Sequence, residues 1–282
     1  MSPLDIRVSE SAGFCWGVER ALEEAYRAAR EARGPVNTLG PLIHNPGVIS
    51  ELRKAGVGVI SDAEDASDGT IILRSHGVPR ETKERLEGSG LEVLDATCRF
   101  VKSAQDKAAR LRERGYLVVI LGETDHPEVL GLRSYAGADS VVVETPEDLP
   151  SDLAGRRVGV VVQTTQSHER LAALAAYLAP AVRELLVYNT ICGATEERQS
   201  AAIAMASEVD VVVVVGGRNS ANTRRLAQLC KAVKPETYHI ESEDELDASW
   251  FDQVHTVGIT AGASTPSEQI DAVVRRIREI DP

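Results

Sequence analysis

Three cysteines in this sequence each stand where a short apolar segment gives way to an amphipathic helical pattern. The cysteines are Cys15, Cys98 and Cys192, and the strand-like segments before them are 6–8, 91–94 and 185–188. Cysteine thiolates bind zinc and iron–sulfur clusters. Three cysteines in equivalent settings therefore suggest that the sulfur atoms meet at one metal centre.

The spacing of the cysteines bears on which metal they could hold. A structural zinc site usually has four ligands, two of them close in sequence, whereas these three lie far apart. A 4Fe–4S cluster accepts distant ligands, and three thiolates would leave one iron free to act on a substrate. Spacing alone leaves the cluster, zinc and a metal-free structural role open. Cys230, beside Leu226 and Leu229, is predicted to pack in the core.

A threefold internal repeat links these cysteines to the rest of the chain. At similar distances after them, apolar strands end at Gly40, Gly122 and Gly216, and each glycine opens a polar loop followed by a helix. Further strands at 57–60, 141–143 and 238–240 each lead into an acidic helix start, where carboxylates would favour the helix dipole. The last strands, at 70–73, 158–162 and 257–260, each end in small polar residues.

The alternation of strands and helices predicts an α/β fold with mostly parallel sheets. Ligands of such sheets bind beyond the carboxyl ends of the strands, where the cysteines, glycine loops and polar tips all fall. We therefore expect three pseudo-threefold-related α/β domains around a shared central site. The expected domains are 13–97, 98–191 and 192–282.

Polar residues at the predicted strand ends form a second candidate set. They are His44, His76, His126, Ser220, Asn222 and Ser264. These side chains suit an anion, and protonated histidines would supply positive charge that the acidic surface lacks. Glu128 lies two residues beyond His126, placed to move protons, and the pair Thr164 and Thr165 could orient a hydroxyl group. The remaining histidines, at 168, 239 and 255, fit no repeat position and are expected to be structural.

Composition excludes several classes of protein. The 282 residues carry a formal net charge of −12, which argues against a general nucleic-acid surface. The apolar runs are too short to cross a membrane and no signal peptide is evident, so the chain is expected to be cytoplasmic. The sequence contains neither a Gly-Lys-Ser/Thr phosphate loop nor a GxGxxG fingerprint. Any redox chemistry would therefore draw its electrons from another protein.

Ordered motifs along nearly the whole chain resemble those of the 4-hydroxy-3-methylbut-2-enyl diphosphate reductase family, which acts last in the methylerythritol phosphate route to isoprenoids. The clearest are Gly13-Phe14-Cys15-Trp16-Gly17-Val18, His44-Asn45-Pro46 and Arg74-Ser75-His76-Gly77-Val78. Others are Asp95-Ala96-Thr97-Cys98, His126-Pro127-Glu128, Gln163-Thr164-Thr165-Gln166-Ser167, Thr190-Ile191-Cys192, Gly217-Arg218-Asn219-Ser220-Ala221-Asn222-Thr223 and Thr260-Ala261-Gly262-Ala263-Ser264.

The resemblance implies a specific enzyme. It implies a 4Fe–4S cluster on Cys15, Cys98 and Cys192, a diphosphate held by the six His, Ser and Asn residues above, and Glu128 as the acid. Thr164 would lie near the substrate hydroxyl, with Thr165 as the adjacent alternative, and Ala221 replaces a serine of many relatives. The resemblance also implies that the three α/β domains surround a central iron–sulfur site and that the N-terminal strand region 1–12 joins the third domain, 192–282. The reaction implied is reductive dehydroxylation to isopentenyl and dimethylallyl diphosphate, with electrons from ferredoxin or flavodoxin.

Two other functions fit part of the pattern. A non-redox iron–sulfur hydro-lyase would use the open iron without an electron donor. A non-enzymatic diphosphate or metal sensor would need the cysteines only for structure. Activity without any donor would favour the first, and colourless, metal-free protein that still binds isoprenoid diphosphates would favour the second.

Overall fold

The structure is a computed structural model that describes residues 4–66 and 68–280. Its strands lie within one residue of the predicted bounds. They are β1 Asp5–Val8, β2 Val36–Leu39, β3 Val57–Ile60, β4 Thr70–Leu73, β5 Glu92–Asp95, β6 Leu117–Leu121, β7 Val141–Val143, β8 Arg157–Val162, β9 Glu184–Val187, β10 Val211–Val215, β11 Thr237–Ile240 and β12 Thr256–Ala261. Continuous runs of Val, Ile and Leu favour these strands because β-branched side chains suit an extended, buried backbone.

In the described residues, an α-helix follows each strand except β3, β7 and β11. The α-helices are α1 Trp16–Glu31, α2 Pro46–Lys54, α3 Arg80–Glu87, α4 Arg99–Glu113, α5 Pro127–Ala136, α6 His168–Leu178, α7 Gly193–Glu208, α8 Ala221–Val233 and α9 Ser267–Ile280. In the part of the chain that the structure describes, none of them combines the length and apolarity needed to span a bilayer.

The strands form three four-stranded parallel sheets with one shared topology. Their orders are β3-β2-β4-β5, β7-β6-β8-β9 and β11-β10-β12-β1. In the third sheet the N-terminal strand takes the edge that β5 and β9 take in the others, with Ile6 opposite Val257. The predicted α/β fold class and the threefold repeat are therefore confirmed.

The chain divides into two compact units. The first unit contains the described residues of Met1–Glu19, His44–Val48 and Gly193–Pro282, and it holds the sheet of β1, β10, β11 and β12. The second unit contains Arg20–Ile43 and Ile49–Cys192 and holds the other two sheets. The three domain boundaries expected from the sequence stay a prediction.

Helices cover both faces of the sheet in the first unit. The side chains of β10 point alternately to the two faces. On one face Val211, Val213 and Val215 pack with α9, and on the other face Val212 and Val214 pack with α7 and α8. A strand that is buried on both sides has no polar face, which is why β10 reads as five consecutive valines. Cys230 of α8 is part of this core, as predicted.

The acidic segments after β3, β7 and β11 differ from the expectation of helix starts. Each forms one 3-10 turn of three residues: Ala63–Asp65, Pro146–Asp148 and Glu243–Glu245. In each turn a carboxylate accepts an N–H from the chain just before it, as Asp148 does from Glu144 and Thr145 at 2.9 Å each. The acidic residues therefore cap the ends of strands rather than complement the dipole of a long helix.

Candidate functional site

Two of the predicted metal ligands lie in the second unit, and their backbones are tied to polar strand ends. The N–H of Cys98 donates to the carbonyl of Ser75 at 2.9 Å, and the N–H of Cys192 donates to the carbonyl of Thr164 at 3.0 Å. Ser75 precedes His76, and Thr164 is itself a predicted substrate contact. Each contact therefore holds a cysteine beside a residue expected to meet the substrate.

Cys15, in the first unit, is held by the equivalent contact. Its N–H donates to the carbonyl of Ala263 at 3.2 Å, next to Ser264, and its carbonyl accepts from the N–H groups of Val18 and Glu19 in α1. The same backbone hydrogen bond thus recurs at all three cysteines. It confirms the structural equivalence that their spacing indicated.

Two arginines that sequence reasoning missed hold the chain beside these cysteines. Arg198 Nη2 donates to the carbonyl of Gly13 at 2.8 Å and Nη1 to that of Ala194 at 3.3 Å. Arg20 Nη2 donates to the carbonyl of Thr97 at 2.8 Å. Arg198 is buried and Arg20 is half-buried, and buried arginines are rare without a specific role.

The chemistry of the thiols fits a bound cluster. Cys15, Cys98 and Cys192 are half-buried thiols outside any disulfide, and each directly precedes a helix, whose N-terminal dipole favours an anionic ligand. Cys230 is fully buried, and burial raises the pKa of its thiol to about 11, so it would remain an inert thiol. The chain thus offers three accessible sulfur donors that could hold an iron–sulfur cluster.

Glu128 and Thr164 form a buried pair in the second unit. The N–H of Thr164 donates to Glu128 Oε1 at 2.7 Å, and its hydroxyl donates to Oε2 at 2.8 Å. Glu128 lies in the first turn of α5, the helix after β6, and Thr164 lies just beyond β8; β6 and β8 are neighbouring strands of one sheet. The parallel topology therefore brings together two residues that lie far apart in the sequence.

Burial gives the Glu128 carboxyl an unusual proton affinity. Only 1% of Glu128 is exposed, and this burial raises the pKa of its carboxyl to about 7, against the opposing effect of the two hydrogen bonds from Thr164. An acid with a pKa near neutrality can both hold and release a proton at physiological pH. Such tuning is typical of a general acid.

The two adjacent threonines have different surroundings. The Thr165 hydroxyl accepts a hydrogen bond from the side-chain amide of Gln163 at 3.0 Å, while the Thr164 hydroxyl faces Glu128. Gln163 also accepts from the N–H of Glu123 at 2.9 Å, so Thr165 belongs to the contacts that brace the loops. Geometry therefore favours Thr164 as the partner of the acid.

His76 and His126 also lie together in the second unit. Their rings meet edge to face, with centroids 5.5 Å apart. His126 caps α5, and its Nδ1 accepts the N–H of Glu128 at 3.1 Å. A nitrogen that accepts carries no proton, so this contact favours a neutral ring with its proton on Nε2.

Ser220 and Asn222 lie at the start of α8 in the first unit. Ser220 caps the helix, its Oγ accepting the N–H of Thr223 at 3.3 Å. Asn222 is buried, and its Nδ2 has no hydrogen-bond partner among residues 4–66 and 68–280. A helix N-terminus with an unused amide donor is suited to a phosphate. Ala221 occupies the first position of α8, so its N–H remains available although it lacks a hydroxyl.

The His44 loop also belongs to the first unit. A methyl group at Gly217 would come within 2.5 Å of the His44 carbonyl oxygen, so only glycine allows the two loops this close. Ser264 follows Ala263 at the end of β12, in the same unit. Four of the six predicted diphosphate ligands therefore belong to the first unit, and the other two, His76 and His126, belong to the second.

The three histidines that fit no repeat position differ in their exposure and contacts. His168 and His255 are exposed at the edges of secondary structure. The Nε2 of His239 lies 2.8 Å from the carbonyl oxygen of Gly216, at the beginning of the loop that carries Ser220. His239 thus braces the loop that carries Ser220, a role that its position inside a strand did not reveal.

Sequence comparison places these features in a known family. The sequence model of the LytB protein family matches residues 6–278. A Geobacter sulfurreducens protein named 4-hydroxy-3-methylbut-2-enyl diphosphate reductase is 50% identical over 278 residues, covering 99% of this chain and 98% of the relative. An Aquifex aeolicus protein of the same name is 46% identical over 280 residues, covering 98% and 97%.

Solved structures agree with this assignment. One of an (E)-4-hydroxy-3-methyl-but-2-enyl diphosphate reductase, described as the terminal enzyme of the non-mevalonate pathway, shares 46% identity with a TM-score of 0.73, covering 98% of this chain and 99% of that one. The Plasmodium falciparum E-1-hydroxy-2-methyl-but-2-enyl-4-diphosphate reductase shares 25% identity with a TM-score of 0.89, covering 97% and 87%. The chain is therefore an enzyme of the LytB family, that of the 4-hydroxy-3-methylbut-2-enyl diphosphate reductases.

Proposed function

We propose that this enzyme converts (E)-4-hydroxy-3-methylbut-2-enyl diphosphate into isopentenyl diphosphate and dimethylallyl diphosphate. The reaction removes the allylic hydroxyl group as water. Two electrons and two protons enter, one proton leaving with the oxygen and one ending on the allylic carbon skeleton. Support comes from relatives that match the chain over nearly its full length and carry the name of this reductase.

The observation that carries the proposal is the Glu128–Thr164 pair. With a carboxyl pKa of about 7, Glu128 is available in its protonated form near neutral pH. Protonated Glu128 would donate to Thr164 Oγ1, which would pass its own hydrogen to the departing hydroxyl. The Thr164 N–H, bound to the other carboxylate oxygen, fixes the orientation of the acid.

Cys15, Cys98 and Cys192 would hold a 4Fe–4S cluster. When bound, such a cluster supplies electrons singly and, with only three protein ligands, an iron that acts as a Lewis acid toward the hydroxyl oxygen. Each cysteine is fixed through its own N–H to a loop that carries a proposed substrate contact. These hydrogen bonds would keep the reacting end of the substrate beside the cluster.

The diphosphate would be held by the six predicted ligands: His44, His76, His126, Ser220, Asn222 and Ser264. The unused Nδ2 of Asn222 and the N-terminus of α8 support this assignment. The net charge of −12 repels anions at long range, so these local donors must supply the affinity.

Electrons would come from a separate carrier protein, ferredoxin or flavodoxin, since the sequence shows no nucleotide-binding motif of a familiar kind. The test is anaerobic turnover of the substrate with a chemically reduced donor, with both products identified. We expect conversion that depends on the donor. Donor-independent conversion would indicate a hydro-lyase instead, and binding without conversion would indicate a sensor.

A further inference from the structure

The diphosphate loops of the first unit are joined by a side-chain clasp that none of the sequence motifs predicted. His44–Val48 is grouped with the first unit, although the chain on both sides of this segment belongs to the second. Something must therefore hold these five residues in the first unit. The contacts of Asn45, the residue after His44, show what does so.

Asn45 makes two hydrogen bonds with opposite ends of its amide. Its Oδ1 accepts the N–H of Val48 at 3.1 Å, and this hydrogen bond caps α2. Its Nδ2 donates to Gln269 Oε1, also at 3.1 Å. Only 3% of Asn45 is exposed, so both contacts are shielded from water. The first bond is local to α2, and the second fastens the segment to α9.

Gln269 continues the connection toward the other diphosphate loop. Its Nε2 donates to the backbone carbonyl of Glu241, and the Glu241 carboxylate accepts the N–H of Arg218 at 2.6 Å. Arg218 belongs to the loop that carries Ser220 and Asn222. A continuous path therefore runs from the residue after His44, through α9 and the end of β11, to that loop.

We propose that Asn45 and Gln269 form a clasp that positions His44 for the diphosphate, so that Gln269 is a positioning residue of the substrate site. This inference rests on the proposed function, because it assumes that His44 contacts the diphosphate. Neither clasp residue needs to touch the substrate. Loss of the clasp frees the His44 loop, so ordering it again costs part of the binding free energy.

Two substitutions that leave the net charge of the protein unchanged break the clasp in independent ways. Gln269→Met keeps the length of the side chain but removes both polar atoms. Asn45→Ser keeps a good helix cap for Val48 but is too short to reach Gln269. Gln228→Met is the matched control, because it makes the same chemical change at an exposed position of α8.

The test is the Kd of the substrate, measured by calorimetry on anaerobic, oxidised protein without reductant, so that no turnover occurs. We expect each clasp variant to raise the Kd ~10-fold, the effect of losing about one charge-assisted hydrogen bond. The control should bind as the wild type does. In turnover assays KM should rise more than kcat falls, since Glu128 and Thr164 lie in the second unit.

A double-mutant cycle with His44→Ala separates positioning from general destabilisation. If Gln269 acts through His44, Gln269→Met should add nothing to the Kd of the His44→Ala variant. Fully additive effects, or wild-type Kd values for both Asn45→Ser and Gln269→Met, would overturn the clasp while leaving the proposed function intact. Failure of the wild type itself to bind the substrate would contradict the proposed function, and the clasp with it.

Discussion

At the scale of single residues, Thr164 is the point where the proposed chemistry converges. Its N–H and hydroxyl both bind Glu128, and its carbonyl accepts the N–H of Cys192. One residue thus links the proposed acid to a proposed cluster ligand. The family resemblance pointed to Thr164 and kept Thr165 as the adjacent alternative, because only the path of the backbone decides which hydroxyl faces Glu128.

Glu128→Gln should lower turnover about 10²–10⁴-fold, because the proton donor is lost. Glutamine can keep both contacts to Thr164, so substrate Kd and iron content should stay close to those of the wild type. The measurement is kcat with a reduced donor, and Glu147→Gln, at an exposed position, is the control. Near-normal kcat would remove Glu128 from the mechanism.

The pH dependence follows from the raised pKa of Glu128. A carboxyl with a pKa of about 7 is protonated below that pH and loses its proton above it. Because the protonated form is the donor, kcat should fall as pH rises through about 7. The test is kcat measured as a function of pH for the wild type and for Glu128→Gln. A decline of kcat with rising pH that persists in the variant would arise from another titrating group.

Valine substitutions separate the two threonines, because valine keeps the shape and removes the hydroxyl. Thr164→Val breaks the relay and should reduce kcat about 10²-fold or more. Thr165→Val loses the contact with Gln163 but leaves the Glu128–Thr164 pair in place, so kcat should stay within about tenfold of the wild type. The reverse order of effects would assign the relay to Thr165.

At the scale of elements, the strands were predictable and some of the turns between them were not. A continuous apolar run such as Val211–Val215 is sufficient to predict a buried strand from the sequence. The acidic residues after β7 suggested a helix, but Asp148 forms a local capping turn. Both structures use carboxylates near backbone N–H groups, so composition alone cannot distinguish them.

The strand ends depend on close packing that small residues permit. A methyl group at Gly262 would lie 2.0 Å from Thr223 Oγ1, and Thr223 is buried and β-branched, so it has little freedom to move. Gly262→Ala should lower the free energy of unfolding by about 1–3 kcal/mol. Urea denaturation would measure this. Gly88→Ala is the control, since its new methyl group would have no neighbour closer than 3.5 Å.

At the scale of the whole molecule, one α/β pattern is used three times. The sequence predicted this repeat because the glycines and cysteines recur at similar spacings. Backbone hydrogen bonds in the structure recur in the same way: the N–H groups of Gly40, Gly122 and Gly216 each donate to the carbonyl of the last residue of the neighbouring strand, at 2.8–2.9 Å. The clasp through Asn45 and Gln269 was not predictable, because it joins side chains from distant parts of the chain and belongs to one repeat only.

The account depends most on one 4Fe–4S cluster bound by three cysteines of this chain. The most direct measurement is the iron and sulfide content of anaerobically purified protein, with a visible spectrum, for the wild type and Cys98→Ser. We expect about four irons and four sulfides per wild-type chain, absorbance near ~400 nm, and loss of both in the variant. Wild-type protein that binds zinc or no metal, or a variant with an unchanged spectrum, would contradict the account.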